Sequence, residues 1–268
     1  MLNAMKSQLN MSATGISYLD SGNGTEVFVF LHGISSGALS WVKQFRTIGE
    51  PYRLIAWNAP GYGESRLLAQ RQPLAVDYAV ALKEFLDSLQ VRTPITLVGH
   101  SLGALQAAAF AERYGDSLKR LVLVNPAQGY GEHSAEKRQS VYEMRPQLLE
   151  RLGNDGMARE RGPNLLAQKT PFNLEVVTEV TQGITLDGLK GSSYLLANDT
   201  IGRYLSVLSV PVSLLYGEQD TITPPAGMFS LHQEFPFLEL HAIADAGHLA
   251  YLDQPEAFNH ILLNLQDS

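Results

Sequence analysis

Apolar residues along this chain fall into short continuous runs, separated by longer stretches in which they recur every three or four positions. Val27-Phe28-Val29-Phe30-Leu31, Leu54-Ile55-Ala56-Trp57, Ile95-Thr96-Leu97-Val98, Leu121-Val122-Leu123-Val124 and Val212-Ser213-Leu214-Leu215-Tyr216 are such runs. Brief apolar runs without polar alternation predict strands buried on both faces. Leu238-Glu239-Leu240-His241-Ala242-Ile243 alternates, as a strand with one wetter face does. Between the runs, Val76, Ala79, Val80, Leu82, Phe85, Leu86 and Leu89 keep helical spacing. Leu102 to Tyr114 predicts a second helix, whose alanines (Ala104, Ala107, Ala108, Ala109, Ala111) let it lie close on a sheet. Strands alternating with helices predict an α/β fold with a mostly parallel sheet covered on both faces. Ser21-Gly22-Asn23-Gly24 predicts a turn between an initial antiparallel strand and the first core strand.

The alternation stops near Gln128. From there to Ser206 no strand signal occurs, and helical stretches are predicted near Ala135–Leu152, Asn173–Thr181 and Tyr194–Leu205. The expected organisation is one α/β core, residues 1–127 and 207–268, interrupted by a helical insertion at 128–206.

The run Ile95–Val98 leads directly into Gly99-His100-Ser101-Leu102-Gly103. A serine between two glycines, where a strand hands over to a helix, is the pattern of a nucleophile elbow. The turn strains the serine backbone, and its flanks leave no room for side chains. The serine oxygen then projects free, beside a helix N-terminus that favours negative charge. A serine nucleophile needs a base, and the base needs an orienting carboxylate. Val212–Tyr216 runs into Gly217-Glu218-Gln219-Asp220, and the last predicted strand leads to Ala246-Gly247-His248. Upstream, Val27–Leu31 ends in His32-Gly33-Ile34, and Leu54–Trp57 ends in Asn58-Ala59-Pro60-Gly61-Tyr62-Gly63.

On these motifs the chain resembles the α/β-hydrolase family, in particular small bacterial members that include carboxylesterases, enol-lactonases and carbon–carbon bond hydrolases. The likeness runs from about Thr14 to Leu265. It implies an eight-stranded, mostly parallel sheet, with the insertion at 128–206 folded as a helical cap over the active site. A cap of that size would enclose a small molecule and would not admit a polymer. The resemblance further implies Ser101 as nucleophile, His248 as general base and then acid, and Asp220 as the acid that orients it. The backbone N–H groups of Ile34 and Leu102 would form the oxyanion hole. A serine at the elbow separates the chain from relatives that carry aspartate there, the dehalogenases and most epoxide hydrolases.

Of seven histidines, only His248 follows the last strand in a loop preceded by glycine. Glu218 is the competitor of Asp220. Some family members place the acid after the sixth strand, where this chain has Asn125, which cannot carry charge. Asn58 stands where the family usually has aspartate; its amide can still bond loop amides, and no catalytic consequence is expected. His32, Ser35 and His100 are candidate pocket residues. Ser36 is expected to bond loop backbone, and Trp41 to start the first helix in the core. Arg138, Arg145, Arg151, Arg159 and Arg161 could meet a substrate carboxylate, and the sequence singles out none of them.

Composition narrows the function. The chain has 268 residues, 45% of them hydrophobic and 18% charged, as in ordinary globular proteins. A net charge of -7 argues against nucleic acid or an anionic membrane as partner. No apolar run is long enough to span a bilayer. There is no cysteine, hence no disulfide or thiolate chemistry. Residues 1–11 carry one lysine and no apolar segment, unlike a secretory leader, so a cytoplasmic location is expected. No phosphate loop or cluster of metal ligands stands out, so no cofactor and no metal are expected. The oligomeric state is not legible.

The expected activity is that of a serine hydrolase acting on a small carboxylic ester or lactone through an acyl-enzyme. A carbon–carbon bond hydrolase of aromatic catabolism is the alternative. Such relatives usually carry Gly-Pro-Gly after the oxyanion loop and asparagine before the nucleophile, where this chain has Ser35-Ser36-Gly37 and His100. A ligand-binding protein on the same scaffold is a third reading.

Overall fold

A computed structural model describes residues 2–266. Eight strands form one sheet: β1 (Asn10–Met11), β2 (Ser17–Asp20), β3 (Glu26–Leu31), β4 (Tyr52–Trp57), β5 (Ile95–His100), β6 (Leu118–Val124), β7 (Val212–Gly217) and β8 (Glu239–Ile243). Their spatial order is β1-β2-β4-β3-β5-β6-β7-β8. From β4 to β8 all pairs are parallel, and only β1 and β2 run antiparallel to their neighbours. Residues 21–24 join the antiparallel β2 to the core strand β3, as expected, and β2 pairs with β4 and not with β3.

Along each central strand, successive side chains point to opposite faces. Val27, Val29 and Leu31 of β3 join one core, with Ile55, Trp57, Leu97 and Leu121. Phe28 and Phe30 join the other, with Leu54, Ala56, Val98 and Val122. Both faces are buried, which is why these strands read as unbroken apolar runs. The helices Ala75–Ser88 and Leu102–Tyr114 lie where the spacing predicts them. Trp41 ends a short 3-10 turn, Ala38–Trp41, and stacks on Tyr251 with ring centroids 3.8 Å apart.

Between β6 and β7 the chain is helical: Ala135–Arg161, Pro171–Gln182, Leu186–Asn198 and Gly202–Leu205. The first helix ends near Leu152 as expected, at Gly153 (φ 63, ψ 178), and a second helical limb runs from there to Arg161. One boundary differs from expectation. The helix predicted over Tyr194–Leu205 is two helices. They part at Asp199, whose carboxylate accepts the N–H of Ala75 and the hydroxyl of Tyr204, 2.9 and 2.7 Å away. That junction ties the end of the helical segment to the start of a core helix, a tertiary demand that helical spacing does not reveal. Among the described residues no helix is long and apolar enough to cross a membrane.

Candidate active site

Ile34, Ser101, Leu102, Asp220 and His248 lie at or just beyond the carboxyl ends of β3, β5, β7 and β8, where an open parallel sheet carries its ligands. Ser101 follows β5 at φ 53, ψ -116, a conformation strained for any residue with a side chain. Its neighbours explain why the turn can be made. A Cβ on Gly99 would sit 2.4 Å from the carbonyl oxygen of Gly103, and one on Gly103 would sit 2.6 Å from those of Leu31 and His32. The two glycines let the helix Leu102–Tyr114 start against the ends of β5 and β3.

His248 and Asp220 meet through their side chains, His248 Nδ1 lying 2.8 Å from Asp220 Oδ2. A carboxylate only accepts, so Nδ1 carries the proton and Nε2 is left as the basic nitrogen. The Asp220 carboxylate is crowded with donors. Oδ1 accepts the N–H groups of Ile222 and Thr223, and Oδ2 accepts the Asn125 amide at 2.6 Å and the Thr223 hydroxyl at 2.7 Å. Burial by itself raises the Asp220 pKa, but the His248 hydrogen bond and charge, with the Thr223 and Ile222 donors, bring it down to about 2. Glu218, the competitor two residues earlier, is exposed. A Cβ on Gly217 would lie 2.3 Å from the Gly247 carbonyl oxygen, so this glycine is what lets the acid loop and the histidine loop touch.

Ser101 and His248 line the same cavity of about 320 Å³. No hydrogen bond joins the Ser101 hydroxyl to His248 among the described residues, a looseness usual in a site without substrate. Ile34 and Leu102 line the cavity as well. Neither of their backbone N–H groups donates to an acceptor among the described residues. Backbone amides that are withdrawn from water are nearly always paired, so two unpaired ones beside a candidate nucleophile are free to meet a ligand acceptor.

The three candidate pocket residues divide. Ser35 lines the cavity at φ 62, with its hydroxyl buried and unpartnered. His100 lines it as well, and its Nε2 hydrogen bonds the His248 carbonyl oxygen at 2.9 Å. Burial and the nearby His248 push the His100 pKa well down, so the ring is neutral. His32 is a correction, because it does not reach the cavity. Its Nε2 accepts the Ala59 N–H at 2.9 Å and its Nδ1 bonds the Gly33 carbonyl at 2.8 Å. Burial lowers its pKa to about 4. It braces the β3 loop against the β4 loop. Asn58 does similar work, accepting the Ala38 N–H and donating to the Ser17 hydroxyl, both at 2.8 Å.

Sequence reasoning missed two further carboxylate partnerships. Asn125 and Thr223 hold Asp220, although only the three-residue spacing from Asp220 to Thr223 hints at a local turn. Asp253 accepts the N–H of Gly247 at 2.8 Å and those of Ala167 and Gln168 at 2.9 and 3.0 Å. It fastens the histidine loop to the helical segment, and nothing in its sequence surroundings marks it out. Of the five arginines in the helical segment, Arg145 and Arg161 line the cavity, and Arg138, Arg151 and Arg159 do not. Among the described residues no three His, Asp or Glu side chains converge to hold a metal ion.

Comparison with known proteins agrees with this architecture. The 2-hydroxy-6-oxononadienedioate/2-hydroxy-6-oxononatrienedioate hydrolase of Paraburkholderia phymatum is 27% identical over 270 residues, 93% of this chain and 90% of that protein. The pimeloyl-[acyl-carrier protein] methyl ester esterase of Vibrio vulnificus is 26% identical over 265 residues, 94% of this chain and 98% of that protein. A thermophilic esterase from Thermogutta terrifontis has the same fold, with a TM-score of 0.83 at 24% identity over 96% of this chain and 97% of its own. A family model described as the alpha/beta hydrolase fold matches residues 26–255. That match runs from the first residue of β3 to the helix beyond the histidine loop, and by it this chain belongs to the alpha/beta hydrolase family.

Proposed function

We propose that the protein is a serine hydrolase that cleaves a small carboxylic ester or lactone through an acyl-enzyme. The observation that carries the reading is the His248–Asp220 pair at 2.8 Å, opening on one cavity with Ser101 and the idle Ile34 and Leu102 amides. His248 Nε2 takes the proton of Ser101 as its oxygen attacks the carbonyl carbon. The tetrahedral oxyanion is held by the Ile34 and Leu102 N–H groups, at the N-terminus of the helix that Leu102 opens. The imidazolium, stabilised by Asp220, then protonates the departing alcohol and leaves Ser101 acylated. Water, deprotonated by His248, attacks the acyl carbon, and collapse of the second oxyanion frees the acid and restores Ser101. The helical segment within residues 128–206 acts as the cap. It supplies the far wall of the cavity through Arg145, Met157, Arg161 and Leu165, among others.

The test is turnover of p-nitrophenyl esters of increasing acyl length by wild type and Ser101→Ala. Activity that falls with chain length and is lost in the variant supports the reading; equal or absent activity in both overturns it. The relatives named for hydrolysis of oxononadienedioates give a second reading, cleavage of a carbon–carbon bond in a dienoate. In that case 2-hydroxy-6-oxo-dienoates lose their long-wavelength absorbance with this protein, and simple esters are poor substrates.

A further inference from the structure

Two cations face the candidate active site with nothing to balance them. Arg145 and Arg161 both line the cavity that holds Ser101 and His248, and among the described residues no Asp or Glu lines it. Among the described residues neither guanidinium donates a hydrogen bond, and neither has a carboxylate oxygen within 4.0 Å. That is unusual in a chain with 27 acidic and 20 basic residues, where a surplus of carboxylates is at hand. Arg120, by contrast, has Glu239 at 2.7 Å. Burial and the neighbouring Arg161 charge lower the Arg145 pKa to about 10, which leaves the guanidinium protonated at neutral pH. A cation partly withdrawn from water without a counter-ion is costly, and two in one cavity more so. The cost is offset when an anion enters between them.

The backbone has been bent to bring them together. Sixteen residues separate Arg145 from Arg161 on what is otherwise one helix. Unbroken, that helix would set them about 24 Å apart along its axis and about 160° around it, on nearly opposite faces. The turn at Gly153 (φ 63, ψ 178) redirects the second limb so that both side chains reach one cavity. Those angles are open essentially to glycine alone. A Cβ there would touch nothing within 4 Å, so the glycine serves the bend rather than the packing.

We propose that Arg145 and Arg161 form an anion subsite that binds a carboxylate of the substrate remote from the scissile bond. The substrate is then an acid-bearing ester, such as a monoester of a linear dicarboxylic acid. The guanidinium forks suit a planar carboxylate. The ester carbonyl is left to Ser101 and the Ile34 and Leu102 amides. The proposal rests on the serine-hydrolase reading of the site for its chemistry, while the binding of the anion does not need that chemistry.

The experiment compares kcat/KM for monomethyl adipate with that for methyl hexanoate, its neutral analogue of equal length. It uses wild type, Arg145→Gln, Arg161→Gln and Arg145→Lys. Wild type is expected to prefer the acid ester by about tenfold or more. Each glutamine variant should lower that ratio by roughly 10- to 100-fold, the worth of a hydrogen bond to a charged group. Arg145→Lys, which keeps the charge, should retain more of the ratio than Arg145→Gln. A wild-type ratio of one or less, or glutamine variants that keep the ratio, overturns the proposal. Adipate binding to Ser101→Ala, read by calorimetry, separates the two claims. Binding that weakens at least tenfold when Arg145→Gln is added, in a protein that turns over no ester, upholds the subsite and sinks the hydrolase reading. Hydrolysis of methyl hexanoate with no adipate binding does the reverse.

Discussion

Asn125 donates its side-chain amide to Asp220 Oδ2 at 2.6 Å, onto the same oxygen that receives His248 Nδ1. Asn125 sits at the end of β6 at φ 44, a left-handed conformation that asparagine tolerates better than most residues. Its side chain thus reaches across to the β7 loop and, with the Thr223 hydroxyl, holds Oδ2, while the Ile222 and Thr223 N–H groups hold Oδ1. Asn125→Ala should lower kcat on p-nitrophenyl acetate by roughly 10- to 100-fold with little change in KM, since a hydrogen bond to a charged group is worth about 1.5–3 kcal/mol. An unchanged kcat would mean that the other donors hold Asp220 without it.

Asp220 itself carries a larger share. In Asp220→Asn the amide can present its NH₂ to His248 and favour the wrong tautomer, with the proton on Nε2. Turnover of the same ester should fall on the order of 10⁴-fold, as for other triad asparagine variants. Stopped assays with milligram amounts of protein resolve that loss. A fall of less than tenfold would assign the orienting role elsewhere.

The close approach at Gly103 predicts a coupled loss of stability and activity. A Cβ there would stand 2.6 Å from the Leu31 and His32 carbonyl oxygens, both backbone atoms that cannot swing away. Gly103→Ala should cost about 2 kcal/mol, as overpacking does, and lower Tm by about 4–8 °C. The displaced strand end carries Ile34, so kcat should fall too. A variant with the Tm and kcat of wild type would contradict the elbow geometry.

His32 makes the fold sensitive to acid. Its folded pKa is about 4 against 6.5 for the free side chain. As pH falls below 6.5, the unfolded chain takes up this proton and the folded protein does not. Stability therefore drops between about pH 6.5 and pH 4 and levels off below, by on the order of 3 kcal/mol for this residue. His100, buried and shifted the same way, adds to the drop. Urea midpoints measured from pH 7 to pH 4.5 should fall, and fall less in His32→Gln. A profile flat across that range would show that His32 is not buried neutral.

The fold was legible where burial is written in the pattern. Strands such as β3 and β5, enclosed on both faces, are unbroken apolar runs, and the elbow at Ser101 names itself by the glycines its turn requires. His248 and Asp220 could be chosen because glycines mark their loops, and Gly217 proves to be where those loops touch. His32 was misplaced because a histidine beside an oxyanion loop looks the same whether it faces a ligand or pins backbone. Asp253 was invisible because its three partners are backbone N–H groups distant in the chain or on another loop. Arg145 and Arg161 could not be told from their solvated neighbours, since their convergence depends on one backbone turn at Gly153.

The most direct test of the account is covalent trapping. Wild type treated with a fluorophosphonate should gain the mass of one phosphonyl group, peptide mapping should locate it on Ser101, and ester turnover should fall in proportion. Ser101→Ala should gain none. No adduct on wild type, or equal labelling of Ser101→Ala, would contradict the assignment of Ser101 as the nucleophile.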